Sequence, residues 1–304
     1  MRLVKVLALS LSLLAVSCGG EQKAEVTSSP IKAIAHQVDV QETFFEASGS
    51  RPDGSFAVPG SAQLIEKIEK VARAFHSAKT KAVASIDWHS AHHEKAHMTD
   101  DKTKIDVVNG PFPIHGLAGQ SGPDGSDRIE EVASVFEFRN QLMIPHNEPK
   151  NGKFELAEFD VNSKRLQILN LESEVVIRKN GDQSTDVWSN PRTEQIYEIL
   201  NPNKNIPIFV YGVVRTICLY DAVKGFLDRG YTHIHVIEDA TDTVNPTKMA
   251  AQKAELEQKG VEFVTTKEAL KEIGAGHAHG HDHGDHDGHD HDDHGHGHGH
   301  GHKH

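Results

Sequence analysis

The chain has 304 residues, with 32 Lys and Arg against 44 Asp and Glu, a formal net charge of −12. That acidic balance argues against broad nucleic-acid binding, which needs clustered Lys and Arg to replace phosphate counterions. The length suffices for one large domain or two small ones with a buried core, and no apolar run reaches the roughly 18 residues of a membrane span.

Residues 1–17 read as an export signal: Arg2 and Lys5 precede an apolar stretch, Val6 to Val16, too short to cross a bilayer. The stretch runs into AVSC, Gly19 and Gly20, and resembles the lipobox of bacterial lipoproteins, in which the Cys becomes the acylated first residue. Cys18 is the expected lipidation site. Several acyl chains there would anchor the protein stably, facing the periplasm or the cell exterior, with the membrane touched through the lipid alone. Residues 18–30 make a polar tether. With Cys18 lipidated, Cys218 is the one free thiol of the mature chain, kept either as filler or for chemistry.

From residue 31 to 274 strands and helices alternate. Residues 31–39 form a β-rich run. Leu64, Ile65, Ile68, Val71, Ala72 and Phe75 recur at helical spacing within 60–79. Strands follow at 81–87 and 174–179, and NIPIFVYGV at 205–213 has the continuous apolar character of a strand buried on both faces. A helix from Ile217 to Arg229 is ended by Gly230; then come a strand at 232–239, a helix at 246–259, the short strand VEFVTT, and a last helix near 267–272. This order predicts a three-layer α/β/α domain with a mostly parallel central sheet. Residues 120–173 carry several turn signals and read as an insertion with some strand content.

In such sheets chemistry gathers beyond the carboxyl ends of the strands. Asp39, Asp87, Lys179 and Cys218 all stand there. A thiol, an ammonium and a carboxylate make a workable nucleophile system: Lys favours the thiolate, as does the positive end of the helix that Cys218 opens, and Asp can take and return the proton. A second set, Asp87, His89 and His93 with His115 downstream, offers oxygen and imidazole ligands suited to Zn, Fe, Mn or Ni. His92 and His97 are alternative ligands.

These residues resemble the nicotinamidase branch of the isochorismatase-like hydrolases over roughly 31–270. VDVQETFF resembles the first-strand D-x-Q-x-x-F signature, IDWHSAHH the D-W-H-P-x-x-H motif with Ser90 in place of Pro, and FPIHGLAGQSG the W-P-x-H-C-V-x-G-T-x-G motif. The spacing from Cys218 to Gly230 resembles the nucleophile helix, and VIEDATDTVNP the segment after it. The resemblance implies Cys218 as nucleophile, Asp39 as general base and acid, and Lys179 as third member. Arg178, Lys150 and Lys153 are rivals for that last place. It further implies a metal, Zn foremost with Fe or Mn as alternatives, on Asp87, His89, His93 and His115. Val214 and Cys218 would supply oxyanion amides, with a cis peptide at Val213–Val214, and Phe44 and Phe112 would sandwich the substrate ring. The implied reaction is hydrolysis of nicotinamide to nicotinate and ammonia through a thioester. Alternatives are another small amide, or a non-catalytic metal-binding lipoprotein. A homo-oligomer is left open. GVVRTIC departs from the usual A-T-D-Y-C at Arg215 and Thr216, and Gly116 replaces a Cys.

The mean hydropathy of −0.49 owes much to residues 275–304, which hold 13 of the 23 His interleaved with Gly and Asp. Such a composition cannot bury a core. Its imidazoles are expected to bind additional metal ions, either feeding the catalytic site or acting as a general buffer.

Overall fold

A computed structural model of the protein describes residues 31–48, 54–89, 97–117, 140–151 and 153–274. The expectations for the signal, Cys18, the tether, His92, His93 and the C-terminal tail lie outside the described residues. In chain order the elements are β1 (Ile34–Val38), α1 (Leu64–Ser77), β2 (Lys81–Ile86), β3 (Met98–Thr99), β4 (Phe112–Pro113), β5 (Asn140–Ile144), β6 (Asn147–Lys150) and β7 (Lys153–Leu156). There follow α2 (Arg165–Leu169), β8 (Ser173–Arg178), α3 (Thr193–Leu200), β9 (Ile208–Gly212), α4 (Tyr220–Asp228), β10 (Ile234–Thr241), α5 (Pro246–Gln258), β11 (Glu262–Val264) and α6 (Thr266–Glu272). No helix among the described residues is long and apolar enough to cross a membrane.

Seven strands form one sheet in the order β11-β10-β9-β1-β2-β8-β5, with every neighbouring pair parallel. Side chains alternate across it, as a period of two requires. Ile34, Val38, Ile208 and Val210 pack with Tyr197 of α3 and Val223 and Phe226 of α4. Ala33, Ala35, Phe209 and Tyr211 face the other way, onto Ile65, Ile68, Val71 and Phe75 of α1 and Ala269 of α6. The result is the expected α/β/α layering. Its central strands are buried on both faces, hence their nearly unbroken apolar sequence.

Parts of this frame exceed the sequence reading. Asn140–Ile144 pairs with β8 as the edge strand of the main sheet, so the stretch read as an insertion contributes to the core. β6 and β7 form an antiparallel hairpin beside it, and α2 and α3 were not anticipated. Arg215–Leu219 forms a π-turn before α4, so Cys218 precedes the regular helix. Chain order also reverses between β1 and β9: β2 lies on one side of β1, β9 to β11 on the other. Ligands of open α/β sheets bind beyond the carboxyl ends at such a point. Asp39 and the turn leading to Cys218 lie on either side of it.

Candidate active site

The register of the sheet brings four strand ends together. Val38 pairs with Ser85 on one side and Gly212 on the other, and Ile86 pairs with Arg178. The next residue on each strand is Asp39, Ile86, Val213 or Lys179. Asp39 takes a left-handed conformation, φ 47°, which turns its side chain out of the strand repeat. Gly212 is required in its place: with φ 114°, a Cβ there would lie 2.1 Å from the carbonyl oxygen of Val38. The peptide between Val213 and Val214 is cis, as the resemblance implied.

Lys179, fully buried, donates from Nζ to Asp39 Oδ2 at 2.5 Å and to the Thr185 carbonyl at 2.9 Å, and lies 3.3 Å from Asp87 Oδ1. Its three rivals stand elsewhere or lack a described side chain. Arg178 covers the Trp88 ring at 4.1 Å, Lys150 is exposed near Glu155, and nothing is described of the Lys153 side chain. Cys218 is buried at the same cluster, and Asp39 Oδ1 is buried without a hydrogen-bond partner among the described residues.

Burial dominates the electrostatics here. It pushes the Asp39 carboxyl up to about 6, against the downward pull of Lys179. It would lower Lys179, but Asp39, Cys218 and Asp87 outweigh it and hold the ammonium well above its usual range. It also pushes the Cys218 thiol well up, and the downward pull of Lys179 is countered by Asp39 and Asp87. Lys179 favours the thiolate, as expected, while burial and the two carboxylates that share the site with it work the other way.

Asp87, His89 and His115 are buried, with one possible ligand atom from each lying within 4.8 Å of the others. His89 Nε2 is 2.8 Å and His115 Nε2 3.3 Å from Asp87 Oδ2. Burial would raise Asp87, yet the charges of His89 and Lys179, with hydrogen bonds from both imidazoles, hold it well below the usual carboxylate range. Gln41 fixes the strand end beneath: its Oε1 accepts from the Asp87 amide at 2.6 Å and its Nε2 donates to the Asp87 carbonyl at 3.1 Å. This amide clamp is what the Q of D-x-Q does in this chain. A carboxylate oxygen and two imidazole nitrogens are a donor set for Zn, Fe or Mn. The backbone leaves room for them only because two glycines line the cluster. A Cβ at Gly116 would lie 2.7 Å from Asp87 Oδ2, and one at Gly181 would lie 2.4 Å from His89 Cε1. This group can bind a metal. His97, an alternative ligand, is exposed and outside it.

One small cavity of about 30 Å³, room for a water or two, joins the two halves. Phe44, Phe56, Phe112, His89, His115, Val214 and Cys218 are among its walls. Phe44 and Phe112, expected to sandwich a substrate ring, both line the cavity, and the Phe56 ring lies 5.8 Å from Phe44 and stacked 5.3 Å from Phe112. Sequence reasoning missed Phe56, which lies in a turn region without periodicity. Among the described residues no hydrogen bond uses the Val214 amide. The departures at 215–216 are absorbed structurally: Arg215 pairs with Glu238 at 3.1 Å, and the Thr216 and Thr243 hydroxyls bond at 2.5 Å.

No protein-family model matches the chain, and no curated protein matches it. Solved structures do. Pyrazinamidase of Pyrococcus horikoshii, solved in complex with zinc, superimposes with a TM-score of 0.50 at 17% identity, over 77% of this chain and 99% of that one. A nicotinamidase/pyrazinamidase of Acinetobacter baumanii gives 0.49 at 16% identity, over 79% and 99%. PnC1 of L. infantum, in complex with nicotinate, gives 0.48 at 18% identity, over 78% and 96%. The chain thus has the α/β/α fold of the Pyrococcus enzyme.

Proposed function

We propose that the protein is a metal-dependent cysteine amidohydrolase whose foremost substrate is nicotinamide. One observation carries this reading: the buried Cys218 thiol lines one cavity with the Asp87, His89 and His115 cluster, and Lys179 joins Asp39 to Asp87 beneath it. In this reading Asp39, ionised above about pH 6, removes the thiol proton as Cys218 Sγ attacks the carboxamide carbon. Lys179 holds Asp39 in place and balances the charge that passes through the pair. The amides of Val214 and Cys218 receive the oxyanion. Asp39 then returns the proton to the leaving nitrogen, the C–N bond breaks, and ammonia departs from a thioester. Asp39 next takes a proton from water as its oxygen attacks, and the acid leaves with Cys218 restored as thiol. A divalent metal, zinc by analogy with the Pyrococcus enzyme, with iron or manganese as alternatives, would be held by Asp87, His89 and His115 and would supply Lewis acidity and an anchor for the substrate. His93 remains a further proposed ligand outside the described residues.

The test is ammonia release from nicotinamide by the soluble chain beginning at residue 21, supplied with Zn, Mn or Fe, beside Cys218→Ala. Release abolished by that substitution supports the reading; no release from folded protein with any metal rejects nicotinamide. The Phe56 ring between Phe44 and Phe112 favours a second reading, hydrolysis of a smaller or differently shaped amide, which the same assay over a panel of amides decides. The lipobox-like pattern supports export and acylation at Cys18, which mass spectrometry of the membrane-extracted protein tests directly.

A further inference from the structure

The two imidazoles of the ligand cluster are supported unequally. His115 donates from Nδ1 to the Pro113 carbonyl, 2.6 Å away, so that with a metal bound beside Asp87 its Nε2 would be free to act as a donor atom. His89 directs Nε2 at Asp87, but its buried Nδ1 has no hydrogen-bond partner among the described residues. The charged group at that nitrogen is Asp182, whose Oδ1 lies 3.9 Å away. Asp182 belongs to the loop after β8 that also supplies Lys179, and this loop is pressed onto the His89 ring. The Gly181 amide donates to the Trp88 carbonyl at 3.0 Å, and the ring sits where a Cβ of residue 181 would be.

We propose that Asp182 is the positioning carboxylate that accepts the Nδ1 proton of His89 and keeps its Nε2 as a metal donor. The inference rests on the metal reading above. A ligating imidazole must carry its proton on the nitrogen away from the metal, and a buried N–H without an acceptor costs about 1–3 kcal/mol. A carboxylate there satisfies it, fixes the ring and raises its basicity. Reaching hydrogen-bond length from the present separation requires the Asp182 oxygen to move by about 1 Å.

The experiment uses the full chain with Co²⁺ as probe. Affinity is measured by competition with a chromogenic chelator and geometry by the visible Co²⁺ absorption. Both are read as differences from His115→Ala, so that cobalt held elsewhere on the chain cancels. Asp182→Ala is expected to weaken Co²⁺ binding by about 10–100-fold and to shift the band. Asp182→Asn, whose amide oxygen still accepts the proton without the charge, recovers part of the affinity but keeps a shifted band. Wild-type affinity and spectrum in folded Asp182→Ala overturn the proposal. Should that variant not fold, the Asp182→Asn band decides: shifted supports it, unshifted overturns it. If wild type and His115→Ala bind cobalt alike, the metal reading itself fails and this inference falls with it.

Discussion

Lys179 Nζ lies 2.5 Å from Asp39 Oδ2 with both side chains fully buried, and 3.3 Å from Asp87 Oδ1. One ammonium thus holds the carboxylate beside the thiol and the carboxylate beside the imidazoles. The two halves of the site are one electrostatic unit, and disturbing either end is felt at the other.

Removing that ammonium should therefore cost both stability and activity. Breaking a buried pair by deleting one partner typically destabilises by about 3–5 kcal/mol, because the remaining charge has no compensation. Lys179→Met should lower the urea midpoint by a corresponding amount and abolish ammonia release. Asp39→Asn, which leaves an uncharged partner, should lose activity equally but unfold less easily than Lys179→Met. Equal urea midpoints for Lys179→Met and wild type would contradict the pairing.

Activity should rise with pH through about 6, the value to which burial pushes Asp39, because only the ionised carboxyl accepts the thiol proton. No falling limb is expected in the mildly alkaline range, since Lys179 and Cys218 both titrate well above their usual values. The sign for stability is opposite. A carboxyl raised on folding stabilises below its unfolded value of 3.8 and loses that contribution as pH climbs through about 6. The profile of kcat/KM against pH, compared with urea midpoints over the same range, separates the two effects.

Phe56 should act as a size gate. Phe56→Ala removes the ring between Phe44 and Phe112. It is expected to destabilise the fold by about 3 kcal/mol while lowering KM for bulkier aromatic amides relative to wild type. Kinetics over an amide series check this; a uniform loss across the series would show that Phe56 only packs.

Gly181→Ala places a methyl group at the His89 ring. Metal content after dialysis should fall far below that of wild type, with the helical signal in circular dichroism retained. Full metal retention would mean that the loop or the ring yields without cost.

The C-terminal histidines lead to a stoichiometric prediction. The full chain should bind several divalent ions, and deletion of residues 275–304 should leave about one, since flexible imidazoles chelate with adaptable geometry. Unchanged metal content after the deletion would reject chelation by this segment.

Much of the fold was legible because its signals are local. The buried strands β1, β2, β8, β9 and β10 appear as apolar runs, α1 as a helical stripe, and the end of α4 as Gly230. α2 and β5 were not read as such, because they are short and lie in a polar stretch. Their burial depends on the neighbouring α3 and β8, which no local pattern reports.

By itself the sequence determined the α/β/α layering, through hydrophobic period and order, and which chemical groups stand at strand ends. Only the tertiary structure decided how those groups act on one another. Parallel register sets Asp39, Asp87 and Lys179 on adjacent strands. Burial then raises the Asp39 carboxyl and opposes the Cys218 thiolate that Lys179 favours. Phe56 and Asp182 reach the site from turns. Their roles come from proximity in a low-dielectric interior, and no periodicity along the chain encodes that.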